Sequence, residues 1–382
     1  MKPAERYLRN WIREDLKEKM VFIGGARQVG KTTLSLQCLG DKEQKANHPA
    51  YLNWDDLGNR ERILKGHLPS KQPIIILDEI HKFADWRNLV KGYYDRYKDS
   101  LSILVTGSAR LDYYRRGGDS LQGRYHYYRL HPFSLGEMGP DAGRTELEQL
   151  LRYGGFPEPL LRADARFHRR WLREQGSRVL YEDLRELERV REVSRLEVLL
   201  QHLPDCVGSP LSVNSLSRLI GVAHETVESW ISILERLYMV YRIAPFGSKR
   251  IRAVKKENKL YFWDWSRVMD KGMRFENLVA GQLMKYCHFI EDTEGYPMEL
   301  RFIRDTDKRE VDFVVLRESK PMFAVECKTG ERSVSPHTRY FRERTNIPRF
   351  FQVHLGDKDY GSEDSDTRVL PFTRFCEELQ MP

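Results

Sequence analysis

Three observations predict an α/β protein with a parallel sheet in its N-terminal part. Short apolar runs and helical segments alternate there in the order β–α–β–α–β. A glycine-rich turn joins the first apolar run to the first helix. After Phe275 the chain returns to a strand-rich pattern, following a largely helical middle. A chain of 382 residues accommodates two or three domains, read here as 1–140, 141–265 and 266–382.

Each element has a local reason. Met20-Val-Phe-Ile23 is a short apolar strand, and Lys31–Leu39 is the helix after the glycine turn. Tyr51-Leu-Asn-Trp54 reads as a second strand. Pro73-Ile-Ile-Ile-Leu77 is a continuous β-branched run with proline at its entry, the pattern of a strand buried on both faces. Leu101–Thr106 and Tyr125–Leu130 follow as further strands. From Leu147 to about Val207 the spacing is helical, apart from the break at Tyr153-Gly-Gly-Phe-Pro-Glu-Pro159.

Composition excludes several classes. Hydrophobic residues make up 40% and charged residues 31%, values unlike collagen, mucin or disordered chains. The net charge is +8, which suits a polyanionic partner without requiring one. Five scattered cysteines, none in a CxxC pair, point to a reducing, cytoplasmic setting rather than a disulfide framework or zinc ribbon. The start lacks the apolar core of a signal peptide. No run approaches the ~18 apolar residues of a membrane span, so no membrane association is expected.

Gly25-Ala-Arg-Gln-Val-Gly30-Lys31-Thr32 matches GxxxxGK(S/T) between an apolar strand and a helix, the context this phosphate-binding loop needs. Gly25, Gln28, Val29, Gly30, Lys31 and Thr32, with Thr33 behind them, are the candidate ATP-binding residues. Lys31 would reach the β- and γ-phosphates, and the Thr32 hydroxyl would hold Mg²⁺. Asp78 ends the buried strand, where its carboxylate would join the Mg²⁺ shell, and Glu79 would act as general base on water. A plain helix-start charge is the alternative for Glu79. Thr106, ending the next strand, is placed to touch the γ-phosphate or the water, or is only a strand-end turn residue. Arg110 and Arg124 are candidates for a γ-phosphate contact, in cis or from a neighbouring subunit, with Arg124 preferred.

The stretch Lys19–Thr33 resembles the opening of a bacterial and archaeal AAA-superfamily ATP-binding family with a C-terminal restriction-endonuclease-like domain of uncertain role. Tyr51-Leu-Asn-Trp-Asp55, Leu77-Asp-Glu-Ile-His-Lys82, Thr106-Gly-Ser108, Leu121-Gln-Gly-Arg124 and Tyr153–Pro159 resemble its landmarks in order. His81 stands where the family usually has Gln, and Ala26 where it often has Pro. The resemblance implies an AAA-type parallel sheet, Thr106 as sensor, Arg124 as a trans-acting arginine, and a homo-oligomer. It also implies a restriction-endonuclease-like α/β domain at the C terminus.

In the middle, Ser212–Arg236 reads helix, turn, helix, with Ser212 as N-cap and Gly221 in the turn. Leu216, Leu219, Ile220, Val227, Ile231 and Leu234 would form its core. Met239–Ala244 would open a wing, and His224, Glu225, Thr226 and Ser229 would head a recognition helix. Glu225, Glu228 and Glu235 make that helix poor for phosphate contact. Arg242, Lys249, Arg250, Arg252, Lys255, Lys256 and Lys259 suit a wing lying on a DNA backbone, or a solvated face.

Farther on, Asp312 enters one apolar strand, and Glu326 and Lys328 share a face of another, the pattern of a PD-(D/E)-x-K nuclease. If these strands pair, Asp312 comes beside Glu326. The two could then hold Mg²⁺ while Lys328 orients water, with Glu276 as a third carboxylate. A degenerate nuclease fold is the alternative. The combined reading is an ATP-driven DNA-handling protein, with branched DNA as a candidate substrate. Its rivals are an ATP-gated protein-interaction switch and an ATP-licensed DNA-defence nuclease.

Overall fold

The computed structural model describes residues 5–40, 47–69, 72–107, 121–178, 193–247, 257–360 and 366–382. They fall into two units, Met1–His131 and Pro132–Pro382.

Unit 1 is built on five strands: β1 (Met20–Gly25), β2 (Tyr51–Asn53), β3 (Ile74–Asp78), β4 (Ser102–Thr106) and β5 (Tyr125–Leu130). They lie in the order β2-β3-β4-β1-β5, every pair parallel. Among the described residues, four helices cover the sheet: α1 (Arg9–Asp15), α2 (Lys31–Leu39), α3 (Leu57–Leu64) and α4 (Trp86–Tyr97). The expected helix after the glycine turn has the observed bounds of α2. Burial explains the strands: Ile75, Ile76, Leu77, Leu104 and Val105 are fully enclosed, as a sheet covered on both faces requires. Phe22 stacks on Tyr125 with ring centroids 4.4 Å apart.

Strand order positions the chemistry. Because β4 lies between β1 and β3, Ile23, Thr106, Asp78 and Asn53 stand side by side across four strands. That row is the carboxyl edge, where a parallel sheet opens to ligands. Close approach there needs glycine. A Cβ on Gly25, at φ +144°, would lie 2.3 Å from the Leu130 carbonyl oxygen.

Unit 2 holds a seven-stranded mixed sheet in the order β12-β11-β10-β9-β8-β6-β7. The strands are β6 (Val240–Pro245), β7 (Lys259–Phe262), β8 (Met298–Arg304), β9 (Glu310–Arg317), β10 (Lys320–Lys328), β11 (Phe350–His354) and β12 (Thr367–Pro371). Glu318 and Ser319 both take left-handed backbone angles, so β9 and β10 close as a tight hairpin. The helices are α5 (Arg144–Tyr153), α6 (Pro157–Arg162), α7 (Ala165–Arg178), α8 (Val193–His202), α9 (Val213–Ile220), α10 (His224–Arg236), α11 (Lys271–Glu294), α12 (Pro336–Arg344) and α13 (Phe372–Glu378).

The helix–turn–helix forms as its caps dictate. The Ser212 side chain accepts from the Ser215 amide, and Gly221 ends α9 in a left-handed conformation. Leu216, Val227, Ile231 and Leu234 are buried as expected, but Leu219 is exposed. Strand β6 pairs antiparallel with β7, as a wing would, and its last residues also pair with β8. The ribbon is therefore continuous with the large sheet.

The Tyr153–Pro159 break is held by a buried polar relay. Ser266 Oγ donates to Asp264 Oδ1 at 2.6 Å and lies 2.9 Å from His168 Nε2. Gly154, at φ +76°, is needed because a Cβ would meet Asp264 Oδ1 at 2.4 Å. Burial lowers the pKa of His168, against the pull of Asp264. A histidine with a depressed folded pKa adds stability above its ordinary value of 6.5, lost as pH falls through the folded value. Thermal melting of the protein should therefore show an acid-side loss of stability below about pH 6.5. His168→Gln should flatten that part of the profile.

Candidate active site and the C-terminal acidic cluster

In unit 1 the loop from Gly25 to Gly30 wraps by unusual backbone angles: φ is +144° at Gly25, +63° at Gln28 and +100° at Gly30. Positive φ angles of this kind let successive amides turn toward one point, the geometry by which a loop at a helix start binds an anion. Lys31 is buried, and its Nζ donates to the carbonyls of Gly25 at 3.1 Å and Ala26 at 2.7 Å. Val29 is buried and Thr33 is exposed. Arg6, buried near the N terminus, donates from Nη1 to the Val29 carbonyl at 2.6 Å and pins the loop from behind.

Asp78 is the hub. Its Oδ2 accepts from Thr32 Oγ1 at 2.9 Å and from the Tyr51 hydroxyl at 2.6 Å, and its Oδ1 accepts from Thr106 Oγ1. Thr106, expected to touch the γ-phosphate or the water or to be only a strand-end turn residue, is fully buried, and its hydroxyl donates to Asp78. Glu79 adopts φ +57°, a strained angle for a non-glycine residue, while its amide donates to the Thr106 carbonyl at 3.0 Å. Burial pushes the Glu79 carboxyl above its ordinary pKa; Lys31 opposes the shift and Asp78 adds to it.

Arg124 is at the opposite edge. Its carbonyl accepts from the Met20 amide at the start of β1, and its guanidinium pairs with Asp95 at 2.9 Å. Contact with phosphates on the loop of its own unit is ruled out by that placement, so the cis option is corrected. Arg110 lies outside the described residues.

In unit 2 the hairpin register, with Val325 opposite Phe313, brings Asp312 beside Glu326. Asp312 Oδ2 accepts from the Cys327 amide at 2.8 Å, and Lys328 Nζ donates to Glu326 Oε1 at 2.5 Å. Glu276, on α11, joins them under Gly208, whose φ of +76° lets the backbone pass close to the carboxylate. All four nuclease-pattern residues therefore meet. Burial first, and Asp312 second, push the Glu326 carboxyl up to about 8. Burial also raises Glu276 and Asp312.

The cation among these acids is Lys259, and its expected place on a DNA-facing wing is corrected. Lys259 has no solvent exposure. Its Nζ lies 2.5 Å from Glu310 Oε1, 3.2 Å from Glu276 Oε1 and 3.8 Å from Asp312 Oδ1. Burial opposes the charge on Lys259, but the three carboxylates outweigh it and raise its pKa. Arg242 is likewise no backbone contact: its guanidinium bridges Glu228 at 2.7 Å and Glu235 at 2.8 Å. Lys249, Arg250, Arg252, Lys255 and Lys256 lie outside the described residues. His224, Glu225 and Ser229 are exposed at the start of α10, and Thr226 is half-buried. Among the described residues, no group of three or more His, Cys, Asp or Glu is arranged to hold a metal ion.

Tyr51, Arg6, Lys259 and Glu310 escaped sequence reasoning in these roles. Glu310 left a signal, since it sits two residues before Asp312 and so shares its strand face. Lys259 left one too, as a charge opening the apolar run Leu-Tyr-Phe-Trp.

Strand order and loop together define unit 1 as a P-loop α/β module, and residues 17–139 match a family model described as an AAA domain. Residues 144–269 and 271–375 match two models described as domains of unknown function, DUF8612 and DUF4143. Two uncharacterized proteins of Methanocaldococcus jannaschii are similar over most of the chain. MJ1544 is 23% identical over 91% of this chain and 83% of its own length. MJ1637 is 21% identical over 84% and 77%. Among solved structures, the Thermotoga maritima RuvB Holliday junction branch migration motor is 15% identical, over 61% of this chain and 87% of that one, at a TM-score of 0.30. A signal transduction ATPase with numerous domains from Pyrococcus horikoshii covers 74% of this chain and 47% of its own, at a TM-score of 0.22. Scores this low carry no argument about function. No helix among the described residues is long and apolar enough to cross a membrane.

Tyr51→Phe removes one of three donors to a buried carboxylate, and a hydrogen bond to a charged group is worth about 1.5–3 kcal/mol. The variant should lose that much unfolding free energy in denaturant titration, with an unchanged circular dichroism spectrum.

Proposed function

We propose that this protein hydrolyses ATP at the loop of unit 1 and uses the cycle to remodel or translocate DNA. The observation that carries the hydrolytic half is the Asp78 carboxylate set against the Thr32 hydroxyl, with Glu79 next in the chain. A hydroxyl and a carboxylate 2.9 Å apart are the hard oxygen donors that Mg²⁺ takes, so the residues present fit the ion. Bound there with ATP, the ion would neutralise charge on the phosphates.

The remaining work belongs to the chain itself. Loop amides and Lys31 hold the phosphates, and release of Lys31 from the Gly25 and Ala26 carbonyls accompanies their arrival. Glu79 accepts the proton of the attacking water, and its raised pKa makes it a stronger base than an exposed glutamate. Thr106 and Tyr51 hold Asp78 in one orientation. Arg124, on the far edge of the sheet, can serve only a neighbouring subunit, which makes a homo-oligomer part of this reading.

Support for DNA comes from the helix–turn–helix, the exposed start of α10 and the basic run between β6 and β7. A second reading, an ATP-gated switch that binds a protein partner, is favoured by the acids of α10 and by Arg242 being tied to two of them. An ATP-licensed DNA-defence nuclease rests on the acidic cluster of unit 2.

Glu79→Gln should lower ATP turnover by about 10²–10⁴-fold, the usual contribution of a general base, while ATP binding persists. Steady-state hydrolysis at low salt, with and without duplex or four-way-junction DNA, tests the coupling. Stimulation that declines steeply with salt is expected. A rate indifferent to every DNA would replace this reading with the protein-interaction switch.

A further inference from the structure

We infer that the Lys259 ammonium is the resident cation of the acidic cluster in unit 2, and that this cluster takes no divalent metal. The nuclease-like pattern Asp312, Glu326 and Lys328 implies Mg²⁺, but the surroundings of those residues do not fit it. Four carboxylates meet here: Glu276, Glu310, Asp312 and Glu326. At least one oxygen of each is engaged, while Glu326 Oε2 is buried without a hydrogen-bond partner. Glu276 Oε1 accepts from the Tyr261 hydroxyl at 2.7 Å and faces Lys259. Glu310 pairs with Lys259 through Oε1 and with Arg304 through Oε2 at 2.6 Å. Asp312 Oδ2 faces the Cys327 amide, and Glu326 Oε1 faces Lys328. Lys259, Arg304 and Lys328 thus set three cationic groups against four carboxyls, of which Glu326, pushed up to about 8, is largely protonated at neutral pH.

A metal centre of this kind needs a surplus of negative charge, and at most one unit of it remains. Distance argues the same way. A dication on Asp312 Oδ1 at ordinary Mg–O spacing of about 2 Å would lie no more than about 6 Å from the Lys259 ammonium, in a buried, poorly screened place. The ammonium cannot withdraw into water, because Lys259 is enclosed by β7, β9, α11 and the ring of Phe302, 5.5 Å away. Lys259 thereby does for this fold what a metal ion does elsewhere: it holds carboxylates from a helix and a strand together.

Manganese uptake by the full chain, measured without nucleotide by electron paramagnetic resonance of the free ion, tests this. Wild-type protein and Asp312→Asn should take up the same amount of Mn²⁺ up to millimolar concentration, since any uptake that survives the substitution lies elsewhere in the chain. Lys259→Met should gain one equivalent, which Lys259→Met with Asp312→Asn loses again. Stoichiometric uptake by the wild type that Asp312→Asn or Glu326→Gln abolishes would overturn the inference. A folded Lys259→Met that gains nothing would also overturn the assignment of Lys259 as the excluding cation. If Lys259→Met does not fold, the wild-type comparison still decides, and Lys259→Arg, which keeps the charge, should fold and match the wild type.

Discussion

One carboxylate organises the nucleotide edge of unit 1. Asp78 receives hydroxyls from Thr32 on α2, Tyr51 on β2 and Thr106 on β4, three segments that have little else in common. The arrangement depends on strand order, because only a β4 placed between β1 and β3 sets Thr106 level with Asp78. It depends equally on the loop, whose glycines bring the backbone against β5 and release α2 at Lys31. Disturbing the register by one residue would turn Asp78 to the other face and scatter all three donors.

Unit 2 solves a different electrostatic problem. Its charged interior is built from pairs, with Lys285 against Glu137 and Lys259 against three acids. Buried pairs of this kind add little net stability when complete, but losing one partner costs about 3–5 kcal/mol. Each strand that meets the cluster has one register in which its charge is met.

The sequence made the local elements readable wherever a residue acts through its own backbone or its own strand. The loop, α2, the buried strand ending in Asp78, and the caps Ser212 and Gly221 all belong to that class. Asp312, Glu326 and Lys328 were legible because a period of two fixes their face, and the hairpin then joined them. Tyr51 and Lys259 were not legible in the same way. Their roles depend on which strand becomes whose neighbour, and a tyrosine in a landmark or a lysine near a basic run carries no mark of that. Lys259, at the end of the basic run, misled for a physical reason: charge counted along a chain does not distinguish an amine in solvent from one enclosed by acids.

The ribbon of β6 and β7 is joined to the large sheet at one end and carries Lys259 at the start of its second strand. A strand is stiff along its length and compliant only across it. Force applied to the ribbon would therefore arrive at the acidic cluster as a displacement of the buried ammonium that faces three of its four acids. Such a displacement would not weaken a single contact but uncover several like charges together, turning a mechanical load into electrostatic repulsion. The cluster is thus coupled by geometry to whatever touches the ribbon, and the lysine is the point of coupling.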